Sequence, residues 1–435
     1  MISAEWVRSR ARGIFYGWWI VSAGIVVQAL TTGLLMQAYG AYVVVMQAEF
    51  GWSRTAFSIA FSVQHAESGL LGPIQGWMLD KWGPRPVMTA GIIVFGLGFI
   101  LFSQINSLWT FYATFLLMAL GVSMAGFKTI GVTVINWFAR KRSTAMGIVH
   151  VGMGIGGLMV PAVAWSLSTY GWRATAFATG VLILVTGIPL AQLFRHTPEQ
   201  YGLQPDGDDL DEVDVEDGSG SRAPLDYDGS GDFTARQALR TPAFWLISGG
   251  HAIGVLVVGT VMVHAVVHMN EGLGYSLTTA ASVIALLTAF SIVGNLLGGF
   301  VGDRVNKQHL AAACMVGSGV AIVMLGWAES FFTVIGFAIL QGLAHGGRGV
   351  LMMPLRADFF GRKAFATIMG FSGMVVMLGM MGGPIVAGVM ADVIGDYQLA
   401  FTILGVIAAA GSLCFIFARK PVLPGARAHT TGASP

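Results

Sequence analysis

Twelve apolar runs, each long enough to cross a ~30 Å hydrocarbon layer as a helix, constrain this chain before any motif is considered. They fall near 15–46, 55–79, 86–104, 108–138, 144–168 and 173–194, and again near 242–269, 278–301, 308–328, 331–360, 364–390 and 397–418. Lipid offers no partner to a backbone N–H or C=O, so each run is expected to be an α-helix. Between the sixth and seventh runs lies DGDDLDEVDVEDGSGSRAPLDYDGSGD, too acidic and polar to bury a core. The expectation is an all-α membrane protein of twelve transmembrane helices in two pseudo-symmetric six-helix bundles. Residues 1–194 would form the first bundle, 195–241 a cytoplasmic linker, 242–420 the second bundle and 421–435 a cytoplasmic tail.

Composition agrees: 55% of residues are hydrophobic and only 11% charged, too few for a water-facing surface. The 60 glycines are read as surfaces where helices approach closely in lipid. Arg8, Arg10, Arg12, Lys81, Arg85, Arg140, Lys141, Arg142, Arg195, Arg362, Lys363 and Arg419 fall on one side of the runs, and Arg54 and Arg173 on the other. That bias places both termini and the linker in the cytoplasm of a cell-membrane protein, a bacterial inner membrane among the options. The basic start precedes a long apolar run without a cleavage site, which reads as a retained first helix. A net charge of +2, with basic residues ranged along one membrane face, gives no nucleic-acid surface.

Cys314 and Cys414 stand apart in apolar runs, so neither a disulfide framework nor a metal site is indicated. VGMGIGG at 151–157 follows no strand and precedes no GK[ST], which rules out a phosphate loop. No nucleophile elbow, metal cluster or cofactor loop appears, so the chain is not read as an enzyme and no cofactor is expected.

The two halves repeat each other at an offset of about 223, the step from Gly76 to Gly299. EFGWSRTAFS (49–58) matches EGLGYSLTTA (271–280), Gly76–Asp80 matches Gly299–Asp303, and YGWRATAF (170–177) matches GDYQLAF (395–401). Parallel repeats in a membrane protein place a substrate site at the repeat interface and move it by rocking one half on the other.

These landmarks resemble the major facilitator superfamily over nearly the whole chain. GWMLDKWGPR (76–85) looks like that family's loop between helices 2 and 3, and GFVGDR (299–304) is its weaker echo. The resemblance implies that Asp80, Lys81 and Arg85, with Asp303 and Arg304, latch the cytoplasmic gate. It also makes helices 1, 4, 7 and 10 the cavity lining. YGWW (16–19), FGWSR (50–54), NWFARKRSTAMGI (136–148) and YGWRATAF (170–177) are similar to the monocarboxylate-porter and oxalate/formate-exchanger group. Members of that group often carry an arginine in helix 8, and this helix 8 has no cation before its cytoplasmic end, so the substrate does not transfer from the group.

Lys128 and Arg348 sit deep in apolar runs, where a cation is costly and defaults to a functional reading. Lys128 precedes Arg140 by ~18 Å of helix and Arg348 precedes Arg362 by ~21 Å. A guanidinium fork holds a carboxylate through two parallel bonds, which makes Arg348 the better anion clamp. The alternative is that each cation partners a buried carboxylate. Gln341, His345, Arg348 and Met352 form one helical stripe, on which Gln341 and His345 join Lys128 and Arg348 as candidate substrate contacts, with a packing role for His345 as the alternative. Gln28 and His251 match at the repeat offset and are candidate substrate hydrogen-bonders, with interhelical bonding as the alternative.

In helix 2, Gln64, Glu67 and Ser68 share a face with His65 one step round. A carboxyl group in lipid is a candidate proton carrier because burial disfavours its charged form. Glu67, with His65, is therefore the expected proton-coupling site, against a structural role in locking helix 2 to a neighbour. His150, His264 and His268 are read as packing or gate residues, and Gly152–Gly157 before Pro161 and Gly379–Gly383 before Pro384 as matched sliding surfaces.

The expected function is secondary transport of a small organic anion, a mono- or dicarboxylate, by proton symport or anion exchange in a monomer. The competing readings are an efflux pump for amphipathic compounds, motivated by 22 Met and 27 Phe, and a transporter-like sensor docking through the acidic linker.

Overall fold

The computed structural model describes residues 14–207, 232–394 and 397–422. The side chains of Arg54, Thr55, Ser58, Ser62, His65, Leu277 and Ile394 fall outside that description. So do Arg8, Arg10 and Arg12, the acidic run 208–231, the Gly395–Asp396 part of the repeat and the tail from 423. Every long element among the described residues is a helix. Two units divide the chain: Met1–Ser68 with Lys81–Pro224, and Gly69–Asp80 with Leu225–Pro435.

The first half of the chain runs through α1 (Tyr16–Thr31), a π-helical turn (Thr32–Gln37) and α2 (Tyr39–Phe50), then α3 (Arg54–Leu70) and α4 (Gly72–Trp82). It continues through α5 (Pro84–Phe102), α6 (Leu108–Ala125), α7 (Phe127–Trp137) and α8 (Arg142–Ala191). A 50-residue α8 would be ~75 Å long, far beyond the hydrocarbon layer. Gly171 (φ 78°, ψ 163°) breaks it, separating the two expected spans 144–168 and 173–194. Only glycine takes that backbone geometry without strain.

The second half carries the short α9 (Ala235–Leu239), then α10 (Pro242–Val267) with a π-helical end (His268–Gly272). It continues through α11 (Leu277–Gly302), α12 (Lys307–Gly326), α13 (Phe331–Phe360), α14 (Phe365–Ile394) and α15 (Gln398–Phe417). Among the described residues ten helices are long and apolar enough to span a bilayer. Counting α8 as two, and adding the broken helix α3–α4, restores twelve.

The caps repeat as the sequence does. Ser107 Oγ accepts from Thr110 N at 3.3 Å to start α6, and Ser330 Oγ accepts from Thr333 N at 3.3 Å to start α13. A side-chain oxygen there satisfies one of the amides that a helix start leaves without an intrahelical acceptor. Within each unit the buried layer is aromatic: Phe95, Phe99, Phe111 and Trp137 in the first, Phe244, Phe337, Phe360 and Phe365 in the second. Large apolar side chains also point outward, Phe332 at 85% exposure and Trp109 at 81%, as a lipid-facing surface requires.

Both described ends of the connecting segment are held by carboxylates. Asp206 accepts from the amides of Ala139 (3.0 Å), Arg140 (2.7 Å) and Lys141 (3.3 Å) in the first unit. Asp232 accepts from the amides of Arg362 and Lys363, both at 2.9 Å, in the second. The two loops correspond at the repeat offset. Asp206 is the one described non-glycine residue with a left-handed φ, 64°, and its three amide bonds offset that strain.

Candidate substrate site

Helix α13 brings two arginines into the interior of the second unit. Arg348 and Arg356 are each 1% exposed, and both reach His251 on α10. Arg348 Nη1 donates to the His251 carbonyl at 3.3 Å, and Arg356 Nη2 donates to His251 Nδ1 at 3.2 Å. Arg356 Nη1 also donates to the Met352 carbonyl at 2.9 Å. Neither Nε has a hydrogen-bond partner. Among the described residues no carboxylate lies within ion-pair distance of either guanidinium.

The α10 backbone is shaped for this. A Cβ at position 254 would lie 1.7 Å from Arg348 Nη1, so only glycine leaves room for the guanidinium. His251 and His345 remain partly exposed while the arginines are sealed. His345 and both guanidiniums act electrostatically on His251. Gln341, expected on the same stripe, accepts instead from Ser318 Oγ at 2.7 Å, an interhelical bond within the second unit.

Lys128 has a different setting in the first unit. The expected helix 108–138 breaks at Gly126 (φ −84°, ψ −148°), and Lys128 stands in the first turn of α7. Its Nζ donates to the Ser68 carbonyl at 2.7 Å, and Glu67 is the acid that acts on it. Glu67 and Gln64 are buried in the same unit. Gln28 is 2% exposed, and its Oε1 lacks a hydrogen-bond partner. The His65 side chain lies outside the described residues.

Of the gate residues, Asp80 belongs to the second unit and accepts from Ala366 N (3.0 Å) and Thr367 N (2.8 Å) in the first turn of α14. A carboxylate there complements the positive end of the helix dipole. Asp303 ends α11, and Arg304 Nη1 donates to the Phe300 carbonyl at 2.8 Å while lying over its ring. Lys81 lies beside Asp80 in the last turn of α4, and Arg85 stands in the first turn of α5. His150 Nδ1 donates to the Met146 carbonyl at 2.8 Å and packs edge-on to Phe127. His264 bridges Pro384 O and Tyr397 Oη, and His268 binds Leu325 O.

Arg356 is the residue that sequence reasoning missed. It lies eight positions after Arg348 on one helix and was a second cation in the same apolar run. The signal was present but hidden by its nearness to the basic loop Arg362–Lys363.

Multiple spans, two repeated halves and buried unpaired cations define a polytopic membrane transporter rather than an enzyme. The chain belongs to the Major Facilitator Superfamily, whose profile it matches over residues 21–307 and 247–434. It is similar to Monocarboxylate transporter 13 of Rattus norvegicus, 26% identical over 401 residues, 91% of this chain and 87% of that protein. It is also similar to the Hexuronate transporter of Escherichia coli (strain K12), 24% identical over 395 residues, 86% of this chain and 88% of that one. Among solved structures, the human organic anion transporter MFSD10 (TETRAN) superposes with a TM-score of 0.68 at 14% identity, covering 91% of this chain and 98% of that one. The protein is therefore a multi-pass membrane transporter of a small-molecule substrate.

Proposed function

We propose that the protein moves a small organic anion, a mono- or dicarboxylate, by alternating access with proton symport or anion exchange. The single observation that carries this reading is Arg348, a fully buried guanidinium with no acid beside it among the described residues. A cation kept dry without a counterion is a site for an arriving anion. The similar proteins named above, for monocarboxylates and for hexuronate, support a carboxylate.

In this reading Arg348 is the primary anion contact and His251 and His345 add hydrogen bonds. Lys128 with Glu67 forms the element that couples the first half to a proton. Residues 1–194 and 242–420 are the two rocking bundles of a monomer, joined by 195–241, with the tail 421–435 and both termini in the cytoplasm. Asp80, Lys81, Arg85, Asp303 and Arg304 latch the cytoplasmic side.

The test is uptake of a labelled carboxylate into proteoliposomes. Arg348→Gln is expected to abolish uptake while thermal unfolding of the purified protein stays as in wild type, and normal uptake by that variant defeats the reading. Export of amphipathic compounds is a second reading, motivated by the 22 Met and 27 Phe of the chain. It requires resistance to several unrelated compounds that survives Arg348→Gln.

A further inference from the structure

We infer that Arg356 is a second anion-contacting residue, and that the substrate held by Arg348 and Arg356 carries two negative groups, as a dicarboxylate does. The inference rests on the carboxylate reading above and adds the charge count.

Both guanidiniums converge on one residue, from the same helix, through bonds to the carbonyl and the ring of His251. Arginine has N–H donors and no acceptor, so the ring nitrogen that meets Arg356 accepts and carries no proton. His251 is thus a spacer that brings no negative charge. Three bonds account for the hydrogen bonding of both arginines, and each Nε is left over. The cluster therefore holds two positive charges, no negative one among the described residues, and a majority of unused donors.

Two like charges enclosed together are unfavourable in themselves and more so without counterions. One carboxylate neutralises half of that charge, whereas two carboxylates match both forks and take up the free N–H groups bidentately. Lys128 is the other candidate for a second positive contact, but it already has the Ser68 carbonyl and the Glu67 charge in its own unit. Arg356 has no acid within ion-pair distance among the described residues. The same reasoning makes His251 a positioning residue, since it fixes the direction of both guanidiniums.

The experiment compares malonate and succinate with acetate and lactate as ligands of the purified full-length protein, by thermal stabilisation and by competition for uptake in proteoliposomes. Wild type is expected to bind the dicarboxylates at least about tenfold more tightly, the size of one charge-assisted fork. Arg356→Gln is expected to erase that preference while monocarboxylate binding changes by less than about twofold. Arg348→Gln is expected to lose both classes.

If Arg356→Gln keeps the wild-type preference, or wild type binds both classes equally, the charge count is overturned and the carboxylate reading stands. If wild type binds neither class, the carboxylate reading falls and the count with it. Should the glutamine variant fail to fold, Arg356→Lys keeps the charge and loses the fork. It is then expected to weaken dicarboxylate binding about threefold, and unchanged binding overturns the inference.

Discussion

In the first unit Lys128 enters at a helix break, donates to a carbonyl and has an acid nearby, while in the second Arg348 and Arg356 ride one continuous helix with no acid in reach among the described residues. The sequence marks Lys128 and Arg348 alike, as cations inside apolar runs. A cation so marked can therefore end in either of two surroundings. In the reading proposed above, a cation with an acid nearby belongs to the scaffold or to a proton relay, and one without an acid is where a substrate anion binds.

The comparison breaks most visibly in stability. Lys128→Met leaves the buried Glu67 without the nearby cation and the Ser68 carbonyl without its donor, and is expected to destabilise the protein by about 2 kcal/mol, read by thermal or denaturant unfolding in detergent. Adding Glu67→Leu should recover most of that loss. Arg348→Met is expected to unfold at the wild-type temperature or above, because the variant gives up only a long bond to the His251 carbonyl and leaves no buried charge without a partner. A Lys128→Met protein as stable as wild type would erase the distinction.

A smaller effect sharpens the second-unit side. Gly254→Ala pushes a methyl into the Arg348 guanidinium, and overpacking of that kind costs about 2 kcal/mol. Uptake should fall with it, because the fork is displaced. Gly249, on the same helix with open space around it, should accept alanine within about 0.5 kcal/mol. Uptake lost equally in both variants would mean that helix α10 is sensitive for some reason other than the arginine.

Smallest is Ser318→Ala, which removes the hydroxyl that Gln341 accepts from and should cost about 1 kcal/mol. Uptake is expected to be unchanged, and a specific transport defect would return Gln341 to the substrate site.

The fold was legible because spanning a bilayer is a matter of length and apolarity, both written locally. The twelve runs, the repeat offset and the turn before Trp172 could be read without coordinates. The Gly126 break within 108–138 could not, since glycine is so frequent here that no single one announces a break. The Lys128–Glu67 pairing depends on how α7 meets α3, a contact between residues far apart in sequence. Arg356 was obscured differently: it lies close to the helix end, where basic residues are expected for topology alone, and only its burial sets it apart.

The two aspartates that grip the ends of the connecting segment have a practical corollary. Each bundle closes its own loop with its own side of the joint, through Asp206 in one case and Asp232 in the other. Neither closure borrows anything from the sequence between them. A reporter domain or purification handle spliced into that interval would be inserted outside both clamps, and a protease cut there would yield two fragments that each retain their cap.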